Sequence, residues 1–352
     1  MTHPRRGWFC SLGIGVLAVL AFAGAGCRNP FQEDSAKVLQ TAYTRAVDAE
    51  QARYDMHGVM RVVPTKENGD PSFGDLTITL DASAADGGRG AAAMSEGTQK
   101  VVVAASALGT FTAKIDMRWV GEKAYVRLGE LSVVVDQKAV GGDAEQVRRS
   151  QRELDAGIGA VKGMLGGKWI AIDLRALATL ASTIDSSVPA PTLPTGAALD
   201  ALDAKLRAIV KANPLLVLRE RVGTEKVDGV RAYHYRVGIN RSAILPLLEA
   251  IAPELQISDA DLVEARTALA DPQVIQAIDR MTGDVWIGKQ SKDFVRASLA
   301  IDSDQLVPEE ARKDGRVTGS LDMRFREWGK PIQVEVPTDA VTIEELLGGL
   351  LP

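Results

Sequence analysis

Few side chains in this sequence could do chemistry. Its 352 residues include only two cysteines, Cys10 and Cys27, and three histidines, His3, His57 and His234. A thiolate or imidazole metal site needs several such ligands at short spacings, and a hydrolytic nucleophile needs a base beside it. His57 and His234 fall on separate alternating segments with no cysteine near, so each reads as a surface or core-edge residue. No Gly-x-Ser-x-Gly elbow, phosphate loop or His-Glu-x-x-His pattern occurs. Gly87-Gly88-Arg89-Gly90 lacks the Lys-Ser/Thr ending of a phosphate cradle and reads as a turn. The pairs Glu309-Glu310 and Glu344-Glu345 read as solvated helix ends, and Trp119, Trp169, Trp286 and Trp328 as packing or rim residues. The expectation is a non-enzymatic chain with no cofactor and no metal.

Composition narrows the partners. Lys and Arg number 41 against 46 Asp and Glu, for a formal charge of −5, and aromatics are only 5% of the chain. With no basic run of five or more, nucleic acid is not an expected partner. A hydrophobic content of 46% over this length supports a substantial core.

The N-terminal stretch reads as an address. Arg5-Arg6 make a short positive head, and Gly7 to Gly26 carry no charge, with the most apolar part at Leu12 to Phe22. Ala23-Gly-Ala-Gly-Cys27 resembles the lipobox of bacterial lipoproteins, departing from it at Gly24, where that family usually has Leu. The resemblance implies cleavage before Cys27 and lipidation of its thiol: residues 1–26 are a signal peptide, 27–35 a lipidated tether, and the body is exported and lipid-anchored to a bacterial membrane. Cleavage removes Arg5 and Arg6 and no acid, leaving 39 basic against 46 acidic residues, or −7. The uncharged run is also about the 20 residues a spanning helix needs, so a retained anchor is the competing reading. A twin-arginine leader fits less well, because Gly7-Trp8-Phe9 follows the pair.

Beyond the tether, apolar spacing predicts a helix over Asp34 to Arg53. From Tyr54 the period becomes two. Strands are expected around Met56–Val62, Leu76–Leu80, Phe111–Trp119, Ala124–Leu128, Trp169–Leu174, Leu215–Val222, Tyr233–Ile239, Val285–Ile287, Val295–Ile301, Leu321–Phe325 and Ile332–Val336. Helical stripes separate them over Glu145–Leu165, Leu199–Val210, Ser242–Leu255 and Asp259–Ala270. The proline-rich segment from Ser187 to Gly196 reads as a loop within one domain. The fold class is α+β: a large curved antiparallel sheet, a half-barrel of about 10–11 strands, with helices packed on its concave face and residues 36–352 as one domain.

Several stretches, taken in order, resemble the LolA-like carrier lipoproteins of the LppX and LprG type. They are Val222-Gly-Thr-Glu-Lys-Val-Asp-Gly-Val-Arg-Ala-Tyr-His-Tyr-Arg-Val237, Gly283-Asp-Val-Trp-Ile287, Phe294-Val-Arg-Ala-Ser-Leu-Ala-Ile301 and Leu321-Asp-Met-Arg-Phe-Arg-Glu-Trp-Gly-Lys-Pro-Ile332. The resemblance is best over the C-terminal part and brings no catalytic motif. It implies an apolar cavity between sheet and helices for a lipid, a glycolipid or an acylated protein, with envelope export machinery as a further partner. The residues expected to line it are Met56, Met60, Leu76, Ile78, Leu80, Phe111, Ile115, Met117, Trp119, Val126, Leu202, Leu206, Tyr235, Val237, Leu299, Leu321, Met323 and Phe325. Met56, Met60, Met117 and Met323 are flexible enough to suit a variable ligand. Periodicity does not distinguish a hollow from a filled core, so an envelope scaffold or sensor contacting a protein is the alternative.

Overall fold

A computed structural model describes residues 33–64, 75–88, 92–106, 109–121, 123–136, 144–165, 167–173, 196–253, 257–306, 315–342 and 345–346. Cys10, Cys27 and the proline-rich loop before Gly196 lie outside them. Seven helices are described: α1 (Ser35–Asp48), α2 (Ala144–Leu165), α3 (Ala197–Ala212), α4 (Arg241–Ile251), α5 (Asp259–Ala270), α6 (Pro272–Arg280) and α7 (Ser303–Leu306). The strands are β1 (Gln51–Val63), β2 (Leu76–Gly87), β3 (Met94–Ala105), β4 (Gly109–Val120), β5 (Lys123–Val135), β6 (Ile170–Asp173), β7 (Leu216–Val227), β8 (Val230–Ile239), β9 (Thr282–Gly288), β10 (Phe294–Asp302), β11 (Arg316–Arg326) and β12 (Val341–Thr342). They form an open sheet in the order β12-β6-β5-β4-β3-β2-β1-β11-β10-β9-β8-β7, and the class is α+β as the sequence implies. The neighbours from β6 through β1 to β11 and from β7 through β8 to β9 pair antiparallel, and β12 pairs parallel with β6.

The chain divides into two compact units. The first holds residues up to Asp48, Lys205–Pro253 and Ile257–Ala297; the second holds Ala49–Ala204 and Ser298 onward.

In the first unit, α1 lies on β7 and β9. Its stripe Val38, Leu39, Ala42 and Tyr43 is buried, because helical spacing puts these four on one side. The Tyr43 hydroxyl donates to the Val210 carbonyl at 2.7 Å, which satisfies a polar tip taken out of water. Tyr235, Val285 and Ile287 are among the residues shut in this core. The β7–β8 turn has Asp228 and Gly229 at positive φ (46° and 87°), the conformation its Asp-Gly sequence favours. Ser258 and Asp261 form a capping box on α5, and Asp271 caps α6 ahead of Pro272.

In the second unit, six strands run β6-β5-β4-β3-β2-β1 as an antiparallel meander, with β11 on the other side of β1. A register shift after Lys114 skips Gly129 on β5 and realigns Ile115 with Leu128. Helix α2 packs on β5, and Gln151 stands in for a strand there. Its Nε2 donates to the Val133 carbonyl (2.7 Å) and its Oε1 accepts from the Val135 amide (2.9 Å).

Four expectations differ from the structure. The first helix stops at Asp48 instead of Arg53, because Gln51 to Arg53 already pair with Gly87 to Ala85 on β2. Residues 94–105, given no element from the sequence, are the strand β3 between β2 and β4. Residues 272–280, also given none, are α6. Ile332 to Val336 are not a strand; the edge place goes to Val341–Thr342, paired with Ile170 and Ala171. Pro331 and Pro337 bracket that segment and donate no ladder bond.

Candidate functional site

The register of the second unit puts an extended apolar set on one sheet face. Across β11, β1 and β2, Met323, Met56 and Ala82 are in line, as are Leu321, Gly58 and Leu80, and Gly319, Met60 and Ile78. Leu80 continues to Val101 and Ala113, and Ile78 to Val103, Phe111 and Val133. Gly97, Met117, Val126 and Ile170 make a further row. Because directly opposed residues share a face and alternate residues repeat it, Leu76, Ile115, Trp119 and Phe325 belong to the same set. A Cβ at Gly319 would lie 4.0 Å from the Ile301 Cβ, so Ile301, and Leu299 two residues before it, join from β10.

The exposure of this face is unusual for its chemistry. Ala105, Ala113 and Met323 are buried, but the other apolar members are half-buried or exposed, with Met60 at 41%, Phe111 at 37% and Met117 at 36%. Small residues lie among the large ones. Gly58 sits between Leu321 Cδ1 and Leu80 Cβ, at 3.7 and 3.9 Å from where its Cβ would be, and Gly97 is opposite Met117. The result is a partly exposed apolar surface dotted with thioethers, which reshape at little cost in rotamer energy.

The opposite face carries the charges, and it is the one that chain crosses. Arg118 Nη1 donates to the Glu335 carbonyl at 2.9 Å, and the buried Ile332 lies against Gly87. Arg118 and Arg127 stand 4.9 and 4.7 Å from the ring of buried Trp169. Burial would raise the Asp116 carboxyl, but the Thr98 hydroxyl (2.7 Å) and the Arg127 guanidinium (2.8 Å) hold it below the usual carboxylate range. Open polar cavities of about 350 and 330 Å³ lie on this side, the first by Asp116, Arg118 and Trp169, the second by His57, Asp81 and Lys100.

One end of the apolar face is polar. The Tyr54 hydroxyl and the Asp86 carboxyl hydrogen-bond there, and burial pushes both above their ordinary pKa ranges. The Tyr54 ring lies 6.5 Å from Phe325, which stacks on Trp328 at 5.4 Å.

The structure brings together fourteen of the eighteen expected lining residues: Met56, Met60, Leu76, Ile78, Leu80, Phe111, Ile115, Met117, Trp119, Val126, Leu299, Leu321, Met323 and Phe325. Leu202 and Leu206 are on the half-buried stripe of α3. Tyr235 and Val237 are elsewhere, closed in the first unit's core at 0% and 3% exposure. Residues the sequence reading missed include Val101, Val103, Leu131 and Val133, whose signal was a valine-rich run bounded by polar residues.

Solved structures similar to this chain are two mycobacterial lipoproteins and a sorting-type domain. The lipoprotein LppX of Mycobacterium tuberculosis is 12% identical with a TM-score of 0.27, covering 85% of this chain and 97% of its own. LprF of Mycobacterium bovis is 10% identical with a TM-score of 0.32, covering 86% and 95%. A putative outer membrane lipoprotein-sorting protein domain from Vibrio parahaemolyticus is 8% identical with a TM-score of 0.18, covering 84% and 93%. No family model and no curated protein matches the chain.

Both histidines among the described residues contact carboxylates. His57 Nδ1 lies 2.6 Å from Asp81 in the open. His234 lies between Glu225 and Asp284, each at 2.9 Å, and stacks on Trp286 at 4.4 Å. Among the described residues no group of three His, Cys, Asp or Glu could hold a metal ion, and no helix is long and apolar enough to cross a membrane.

Proposed function

We propose that this protein is a non-enzymatic lipoprotein of the bacterial envelope, acylated at Cys27 and exported, that binds the hydrocarbon part of an amphiphile on the apolar face of its second unit. Lipids, glycolipids and acylated proteins are the ligand class, and residues 36–352 act as one lipid-binding domain. One observation carries the reading: among the described residues, the apolar face of the second unit is incompletely covered, with Met60, Phe111 and Met117 exposed at 41%, 37% and 36%. An ordinary core covers such residues, because leaving apolar area in water forgoes roughly 25 cal/mol per Å². Each methylene a ligand lays on this face recovers about 0.8 kcal/mol. A chain of ten carbons would offset much of the cost of leaving a bilayer.

The small residues support a chain-shaped ligand. Gly58 leaves a gap between Leu321 and Leu80 that a larger side chain would fill, and the flanking methionines adapt to different tails. The lipobox resemblance supports the address, since two or three acyl chains on one cysteine hold a protein stably on a bilayer.

The test is extraction of the purified protein with organic solvent, followed by titration with a fluorescent fatty acid. Co-purified lipid and saturable uptake are expected. Absence of both sinks the carrier reading and leaves the scaffold or sensor.

A further inference from the structure

The point at which the described chain begins is fixed to a cationic surface of the first unit. Glu33 pairs with Lys292 and accepts a hydrogen bond from the Tyr233 hydroxyl at 2.7 Å. Around the Tyr233 ring stand three cations: Arg221 of β7 at 5.2 Å, Lys289 at 5.1 Å and Lys292 at 5.2 Å. Glu33 faces both Lys292 and Lys289, which with Arg221 also stand over the aromatic ring. The Lys289 amide donates to the Arg231 carbonyl at 2.9 Å, which joins this cluster to the β7–β8 turn with Lys226, Arg231 and the 43%-exposed Val230. Asp293 is taken by Arg45 at 2.6 Å and Glu225 by His234 and Trp286. Asp228 lies in the same turn, so Arg221, Lys226, Arg231, Lys289 and Lys292 stand against Glu33, Glu225 and Asp228 at this end of the unit, an excess of two cations on a chain whose net charge is −5.

We infer that the surface formed by Arg221, Lys289, Lys292, Lys226 and Arg231 docks on an anionic lipid bilayer. The inference rests on the acylated Cys27 proposed above. Five residues separate Cys27 from Glu33, and an extended chain spans at most about 3.5 Å per residue, so the tether holds this patch within about 20 Å of the headgroups. That is the tether's upper limit, so the patch can also come within the Debye length of about 8 Å at physiological salt, where attraction to the headgroups acts. An exposed valine beside the cross-strand pair Lys226 and Arg231 is a composition that seats at a headgroup boundary. Each cation at an anionic surface strengthens contact about fivefold.

The test uses the full chain, reconstituted from detergent into vesicles of phosphatidylcholine alone or mixed with phosphatidylglycerol. An amine-acylating reagent reads the accessibility of each lysine by mass spectrometry. Lys289 and Lys226 should react severalfold more slowly in the anionic vesicles, with high salt restoring the rate, while Lys100 and Lys114 react equally in both. Lys289→Glu combined with Arg221→Glu should abolish the protection of Lys226; Lys289→Ala, which leaves less to misfold, should halve it or more. Equal rates for Lys289 in the two vesicle types overturn the inference, and so does slowing by inorganic phosphate alone, which marks a small-anion site. The mass of Cys27 is read in the same spectra. If it carries no lipid, flotation of the chain with the two vesicle types replaces the lysine readout: preference for the anionic ones keeps the patch and sinks the tether, and no preference sinks both.

Discussion

Met117 of β4 stands directly opposite Gly97 of β3, so a thioether that is 36% exposed meets a cross-strand side chain only on its other flank, where Val126 of β5 is its partner. Pairs of this kind normally stabilise a sheet by a few tenths of a kcal/mol to about 1 kcal/mol. On the Gly97 flank that contact is missing, and a bound hydrocarbon would supply it.

Met117→Glu should therefore abolish fatty-acid uptake while leaving circular dichroism unchanged and stability within about 0.5 kcal/mol, since an exposed position tolerates a charge. Ile115→Asp, at a half-buried position on the same face, should lose uptake with a larger stability cost. Loss of folded signal together with uptake in Met117→Glu would indicate a filled core instead.

Two glycines on the apolar face separate shape from strain. A Cβ at Gly58 would meet Leu321, Ser320 and Leu80 at 3.7–3.9 Å, ordinary contact, whereas at Gly97 it would lie 2.7 Å from the Ser83 carbonyl oxygen. Gly58→Leu should reduce uptake severalfold with stability nearly preserved. Gly97→Ala should lower stability by about 1–3 kcal/mol because backbone must move. Ligand titration and thermal melting of the two variants distinguish these outcomes.

Gln151→Ala should cost about 1–2 kcal/mol, for two hydrogen bonds to the outer edge of β5 are lost with their partners left in place. Hydrogen exchange at the Val135 amide should rise first. The bare edge beside 60%-exposed Val134 should also promote self-association, visible in sedimentation at raised concentration.

The Asp86 carboxyl gives a pH prediction. Burial raises its folded pKa above the unfolded value, so its contribution to stability is present below the unfolded pKa and is lost as pH rises through the folded one. Asp86→Asn should be more stable than the parent at neutral pH and should flatten the pH dependence above the carboxylate range. Equal unfolding midpoints for the two proteins at neutral pH would refute this.

The alternating segments made most of the sheet legible, because a half-buried strand writes its face directly into the sequence, as Phe111 to Trp119 do. The strand β3 was not legible: Val101-Val102-Val103 breaks the alternation, and Gly97 and Gln99 occupy the apolar side. Ile332, Val334 and Val336 alternate well but have no ladder, since the residues that pair at that edge are Val341 and Thr342. The face of the site could be listed from its period, yet its openness could not, because exposure depends on what other chain lies over it. Tyr235 and Val237 carry the same pattern as Met56 and Met60 and end up sealed.

Strand β1 has β2 on one side and β11 on the other, and Arg53 to Val63 pair with Arg326 to Arg316. One flank of that strand thus waits for residues made almost a whole chain later. Under the export proposed above, a polypeptide threading out head first would hold a sticky, half-zipped template until its tail arrived, so its biogenesis should lean on a holding factor at the exit of the channel.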